Sequence, residues 1–90
     1  MLAIMRILEA VSKGNFELSL HAQKQMTDRN IQVEDIINCA KTVTKSVFQE
    51  KKGTYKIVGY SIESKRMTIV CAEFNGVLIV TVYPLGEKRK

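Results

Sequence analysis

The pair Asn75-Gly76 constrains this chain more than any other feature. It lies between two apolar stretches rich in β-branched residues, Met67–Phe74 and Val77–Tyr83. Asn-Gly readily supplies the two positive φ angles of a type I′ turn, whose twist matches that of paired strands. A two-residue turn also sets the register. Phe74 then faces Val77, Ala72 faces Ile79, Val70 faces Thr81 and Thr68 faces Tyr83, all on one side of the sheet. The other side carries Met67, Ile69, Cys71, Leu78, Val80 and Val82, so it is expected to lie under helices. The first side becomes hydroxyl-rich away from the turn, with Thr68, Thr81 and Tyr83 together. Such a cluster is either a half-solvated face or part of a site.

Upstream, the hydrophobic period switches from helical to alternating. Ile4, Ile7, Leu8 and Val11 form one stripe within a helix over Leu2–Lys13, which Gly14 stops. Phe16–Leu18 is a short extended piece. Ser19 is a good N-cap for a second helix running to Arg29 and ending at Asn30. Its apolar face is thin, with only Ala22 and Met26. A third helix follows at once, with Val33, Ile36, Ile37 and Ala40 on one stripe and Glu34 and Asp35 in its first turn. From Val43 the period is two. Val43–Lys51 and Tyr55–Ile62 read as strands around a Lys52-Gly53 turn, and Ser64-Lys65 turns into the hairpin strands. Pro84 stops the last strand and Glu87–Lys90 is a basic tail. The order is three helices, then four strands. It predicts a single α+β domain over residues 1–90, with the N-terminal helices on one face of an antiparallel sheet of four or slightly more strands.

Fourteen Lys and Arg against nine Asp and Glu leave a net charge of +5 on 90 residues. That excess suits an anionic partner, nucleic acid or an acidic protein, although solubility alone also accounts for it. Lys45, Lys51, Lys52, Lys56, Lys65 and Arg66 carry much of the charge in the strand region. Cys39 and Cys71 fall in apolar patterns, and with one histidine and no C-x-x-C pair they make no zinc site. No metal or other cofactor is implied. No apolar run reaches membrane-span length and no signal peptide is evident, so no membrane association is expected and a cytoplasmic, reducing location is.

His21, the only histidine, falls at the second position of the second helix. There the helix dipole disfavours an imidazolium, so a neutral ring can accept a proton, and the free N–H groups of the first turn attract phosphate. Gln25 and Asp28 lie within about 40° of His21 on the helical wheel, Lys24 about 60° to the other side and Arg29 about 80° away. Alternatively, His21 is a surface or packing residue and Arg29 pairs with Glu34 or Asp35.

The segment His21-Ala22-x-x-Gln25-Met26-x-x-Arg29-x-Ile31, followed by Val33-x-x-Ile36, resembles the His-Ala-x-x-Arg-Met-x-x-Arg-Gly-Ile signature of a bacterial domain-of-unknown-function family. That family is regarded as related to the RelE-, MqsR- and barnase-like small ribonucleases, many of them toxins of toxin–antitoxin systems. Gly53–Gly59 and Val80–Tyr83 extend the resemblance through most of the chain. Gln25 stands where the family usually has arginine; Asn30 and Gln32 replace its glycine and a hydroxyl cap.

The resemblance implies a RelE/MqsR-like fold and metal-independent endoribonuclease activity of the mRNA interferase type, by attack of a 2′-OH on the adjacent phosphodiester. His21 would act as base or acid, Arg29 and Lys56 would stabilise the phosphorane, and Tyr83 would orient the phosphate together with Thr81. Lys24, Gln25, Lys65 and Arg66 would bind RNA, and Tyr55 would stack on a base. The implied partners are RNA, including ribosome-bound mRNA, and an antitoxin protein. A non-catalytic RNA-binding module of the same fold, or a domain that docks an acidic protein, would use the same positive charge.

Overall fold

The computed structural model describes residues 3–73 and 76–84. In chain order the elements are α1 (Ala3–Ser12), β1 (Glu17–Leu18), α2 (Leu20–Arg29), α3 (Val33–Lys41), β2 (Lys45–Gln49), β3 (Thr54–Tyr60), β4 (Arg66–Glu73) and β5 (Val77–Pro84). The architecture is α+β: the helices cover one face of a sheet ordered β1-β5-β4-β3-β2. Four of its strands form the expected antiparallel meander. The sheet is nevertheless mixed and five-stranded, because β1 pairs parallel with β5 through Glu17–Leu78 and Leu18–Ile79. Two residues leave too little alternation in the sequence to announce a strand. What makes β1 one is the free edge of β5, whose backbone groups need partners. Among the described residues no helix is long and apolar enough to cross a membrane.

The helix boundaries follow their caps. Gly14, at φ 82°, ends α1. Ser19 caps α2 by accepting the Ala22 N–H at 2.9 Å, and Asn30 closes it in the left-handed region. Gln32 opens α3, its N–H held at 2.9 Å by the Asp35 carboxylate. The core lies between helices and sheet: Ile7 and Val11 from α1, Ala22 and Met26 from α2, Ile36, Cys39 and Ala40 from α3, against Ile57, Met67, Ile69, Cys71, Val77, Ile79 and Val82. α3 crosses β3 at Gly59, where a Cβ would stand only 2.2 Å from the Cys39 carbonyl oxygen. This approach turns α3 slightly from its expected stripe, so that Cys39 is buried and Val33 exposed.

The hairpin register agrees with the expectation on the side away from the turn, where Thr68 pairs with Tyr83 and Val70 with Thr81. It slips by one nearer the turn: Cys71 pairs with Ile79, and Ala72 with Leu78 rather than Ile79. Val80 is the extra residue of a β-bulge. The bulge reverses the alternation of β5, so Val77 and Ile79 enter the core in place of Leu78 and Val80. The expected Phe74–Val77 pair, the Asn75 end of the turn, the Leu2 end of the first helix and the Glu87–Lys90 tail fall outside the described residues.

Candidate functional site

β1 covers the edge of β5 only as far as Ile79, and α2 takes over from there. The Ser19 N–H donates to the Ile79 carbonyl at 2.9 Å. The Ser19 hydroxyl donates to the carbonyl of the bulged Val80 at 2.9 Å while accepting from Ala22. One and a half turns on, the Gln25 side-chain carbonyl accepts the Val82 N–H at 2.9 Å. These bonds lay α2 along β5 in the same direction, with its C-terminal end beside Pro84, where Arg29 and Pro84 line a common cleft. Ala22 and Met26 face the core and Gln25 meets the strand edge. His21 lies about 40° further round the helix in the same sense, so it projects past the edge toward the outer face of the sheet. His21 and its neighbour Leu20 are exposed, Leu20 by 83%.

Cross-strand partners share a face, so the register defines that outer face. One row runs Thr81, Val70, Lys56, Val47, and the next runs Tyr83, Thr68, Val58, Lys45. Thr81 and Tyr83 are half-buried on the strand that His21 overhangs. Lys56 stands two strands away, about 10 Å at the backbone, a gap that a lysine side chain can largely span. His21, Thr81, Tyr83 and Lys56 therefore gather around one rim. Thr68 lies beneath it, fully buried, its hydroxyl without a hydrogen-bond partner.

Other expected residues lie elsewhere. Tyr55 belongs to the row Phe48, Tyr55, Cys71, Ile79 on the helix-covered face, with its ring 4.8 Å from that of Phe48. It packs against the core and cannot stack on a base held at Thr81. Arg29 is two helical turns from His21, about 12 Å along the axis. It lines a cleft of about 320 Å³ with Lys65 and Arg66. Arg29 makes no ion pair among the described residues, and Asp35 is engaged by the N–H groups of Gln32 and Ile62. Lys24 is exposed on the solvent side of α2.

A family model described as "Domain of unknown function (DUF4258)" matches residues 18–84. The chain belongs to the DUF4258 family. No curated protein matches it, and neither does any solved structure. The matched span begins at Leu18, so the DUF4258 unit comprises α2, α3 and β2 to β5, with α1 preceding it. The whole His21 rim and the Arg29 cleft fall inside the unit.

The chemistry open to the DUF4258 rim follows from its parts. Ser19 consumes the Ala22 N–H with its hydroxyl and the Gln23 N–H with its carbonyl. The N–H groups of Leu20 and His21, the first two of the helix, are left facing outward. Those groups favour an oxyanion, with an imidazole beside them. Gln25 is spent on the strand edge, so the signature's arginine position offers no cation in this chain. Cys39 and Cys71 take no part; burial pushes both thiols up to about 12. Among the described residues no three ligand-type side chains gather as a metal ion requires. Sequence reasoning found His21 and its cap but missed the second bond of Ser19 and the bulge that provides its acceptor. The uniformly aliphatic run Val77–Val80 carries no mark of a bulge.

Proposed function

We propose that this DUF4258 domain is a metal-independent endoribonuclease of the RelE/MqsR toxin kind. The observation that supports this reading is the placement of an exposed His21 in a capped first turn, overhanging Thr81 and the face that carries Tyr83 and Lys56. A phosphodiester at the rim would meet the first-turn N–H groups on one side and Lys56 on the other. His21 takes the proton of the 2′-OH as that oxygen attacks phosphorus. The P–O5′ bond breaks, leaving a 2′,3′-cyclic phosphate and a 5′-hydroxyl. The leaving oxygen needs a proton that a single histidine, already protonated by the 2′-OH, delivers only after turning. Tyr83 or Lys56 shares that work, and Lys56 offsets charge on the phosphorane. An antitoxin would be the corresponding protein partner, and ribosome-bound mRNA one form of the substrate.

The test is cleavage of an end-labelled RNA in EDTA by the wild type and by His21→Ala. His21 is exposed and its side chain makes no hydrogen bond among the described residues, so the variant should fold. Removing the base should slow cleavage by about 10²–10⁴-fold. No cleavage by the wild type, or equal cleavage by both, rejects the catalytic assignment. A second reading, an RNA-binding module without catalysis, is favoured by one observation: the Gln25 carbonyl is committed to Val82 where the signature has a cation. Salt-dependent RNA binding without cleavage would select it.

A further inference from the structure

The cleft at the far end of α2 is distinct from the His21 rim. It lies between the α2–α3 link and the β3–β4 turn, has about 320 Å³ of space and is lined by Arg29, Lys65 and Arg66. That is the low end of ligand-pocket sizes, enough for a phosphate with its sugar. Two acids also line it, but neither neutralises the arginines. The Asp35 carboxylate accepts the Gln32 N–H at 2.9 Å and the Ile62 N–H at 3.0 Å. Glu63 meets only Lys65, at 3.5 Å, with both side chains 76% exposed. So open a pair contributes little and yields readily to a stronger anion. Arg29 and Arg66 have no ion pair among the described residues. Two guanidinium groups and an ammonium around one concavity suit a tetrahedral oxyanion, which accepts paired N–H bonds from arginine.

We propose that Arg29, Lys65 and Arg66 form a second phosphate subsite, which holds an RNA backbone phosphate further along the strand than the one beside His21. This rests on the RNA reading above. The two positions are separated by about 12 Å along α2, too far for Arg29 to share the phosphate at His21. Arg29 is thus an anchor for the strand and not a stabiliser of the reacting phosphorane. The spacing also sets a length requirement: a dinucleotide reaches only the rim, whereas a longer strand laid along the α2–β5 edge reaches both.

The experiment uses 2′-O-methyl oligouridylates, which cannot be cleaved, titrated into the ¹⁵N-labelled protein. The dinucleotide should shift amides around His21 and Thr81 only; the hexanucleotide should also shift those of Asn30–Gln32 and Ser61–Arg66. An Arg29→Ala, Arg66→Ala variant should bind the hexanucleotide about tenfold more weakly and lower its log–log salt slope by about 1.4, or about 0.7 for each arginine–phosphate pair removed, with dinucleotide binding unchanged. Equal weakening of both ligands, or no effect on either, overturns the subsite while leaving the RNA reading in place. Failure of the wild type to bind either RNA at low salt overturns both.

Discussion

Replacing Ser19 by alanine removes two interactions with one oxygen. The hydroxyl accepts the Ala22 N–H as helix cap and donates to the Val80 carbonyl on the strand bulge, both at 2.9 Å. Loss of a serine cap costs about 1 kcal/mol, within a range of about 0.5–2. The second bond, part-buried and between neutral groups, contributes about 1 kcal/mol. The sum is about 2 kcal/mol, and for a domain of this size each kcal/mol lowers the melting temperature by about 4–8 °C, so a fall of about 8–16 °C is expected. Urea denaturation followed by far-ultraviolet circular dichroism measures the free energy, and a thermal scan the temperature. Gln25→Leu strips Val82 of its acceptor at the other end of the same helix, so the two losses should couple by about 0.5 kcal/mol or more in a double-mutant cycle. Exchange of the His21 and Ala22 amides should quicken in Ser19→Ala more than that of β4, because α2 is freed before the meander. A loss below about 0.5 kcal/mol, half the typical cap value, would refute the argument that this serine clamps the helix to the strand.

Three further outcomes follow from the core. Gly59→Ala sets a methyl group against the Cys39 carbonyl, a backbone atom that cannot rotate away, so a loss of about 3 kcal/mol is expected in the same urea assay; a loss below about 1 kcal/mol would show that α3 moves off β3 without strain. Thr68→Val removes a buried hydroxyl with no partner while keeping its shape, so stability should stay level or rise by about 1 kcal/mol; a loss of more than about 1 kcal/mol would mean that the hydroxyl is bonded after all. The two thiols should make stability fall in alkali. Their pKa is about 12 folded against 9.0 for an ordinary thiol, so below pH 9 both states hold the proton. Above it the unfolded chain releases protons that the folded chain retains, which lowers stability by up to about 1.4 kcal/mol per pH unit for each thiol. Urea titrations between pH 8 and 11 on the wild type and on a Cys39→Ala, Cys71→Ala variant measure it, and parallel slopes for the two would contradict the burial effect.

Much of the fold is legible in the chain because it is local. Ser19, Asn30, Gly14 and the 3.6-residue stripes mark the helices by backbone and capping preferences that need no distant partner. The change to alternation marks the meander for the same reason. His21 at the second position of a capped helix is likewise a local fact, and so is its exposure to solvent in a thin-faced helix. Where the expectation failed, the deciding group lay far along the chain. Glu17–Leu18 is a strand only because β5 presents an unpaired edge some sixty residues later. Val80 bulges within a run whose residues are all aliphatic, and the slip exchanges Leu78 and Val80 for Val77 and Ile79 in the core. Gln25 and an arginine look alike on a helical wheel, yet only the amide carbonyl can accept the Val82 N–H.

The site divides along the same line. By itself the sequence determined a histidine next to free helix N–H groups, and cations enough for an anionic partner. Only the tertiary structure decided that His21 faces Thr81 and Lys56, that Tyr55 faces the other way, and that Arg29 keeps company with Lys65 and Arg66. The physical reason is that a helix assigns directions only relative to itself. The hydrogen bonds of Ser19 and Gln25 to one strand edge convert those directions into positions.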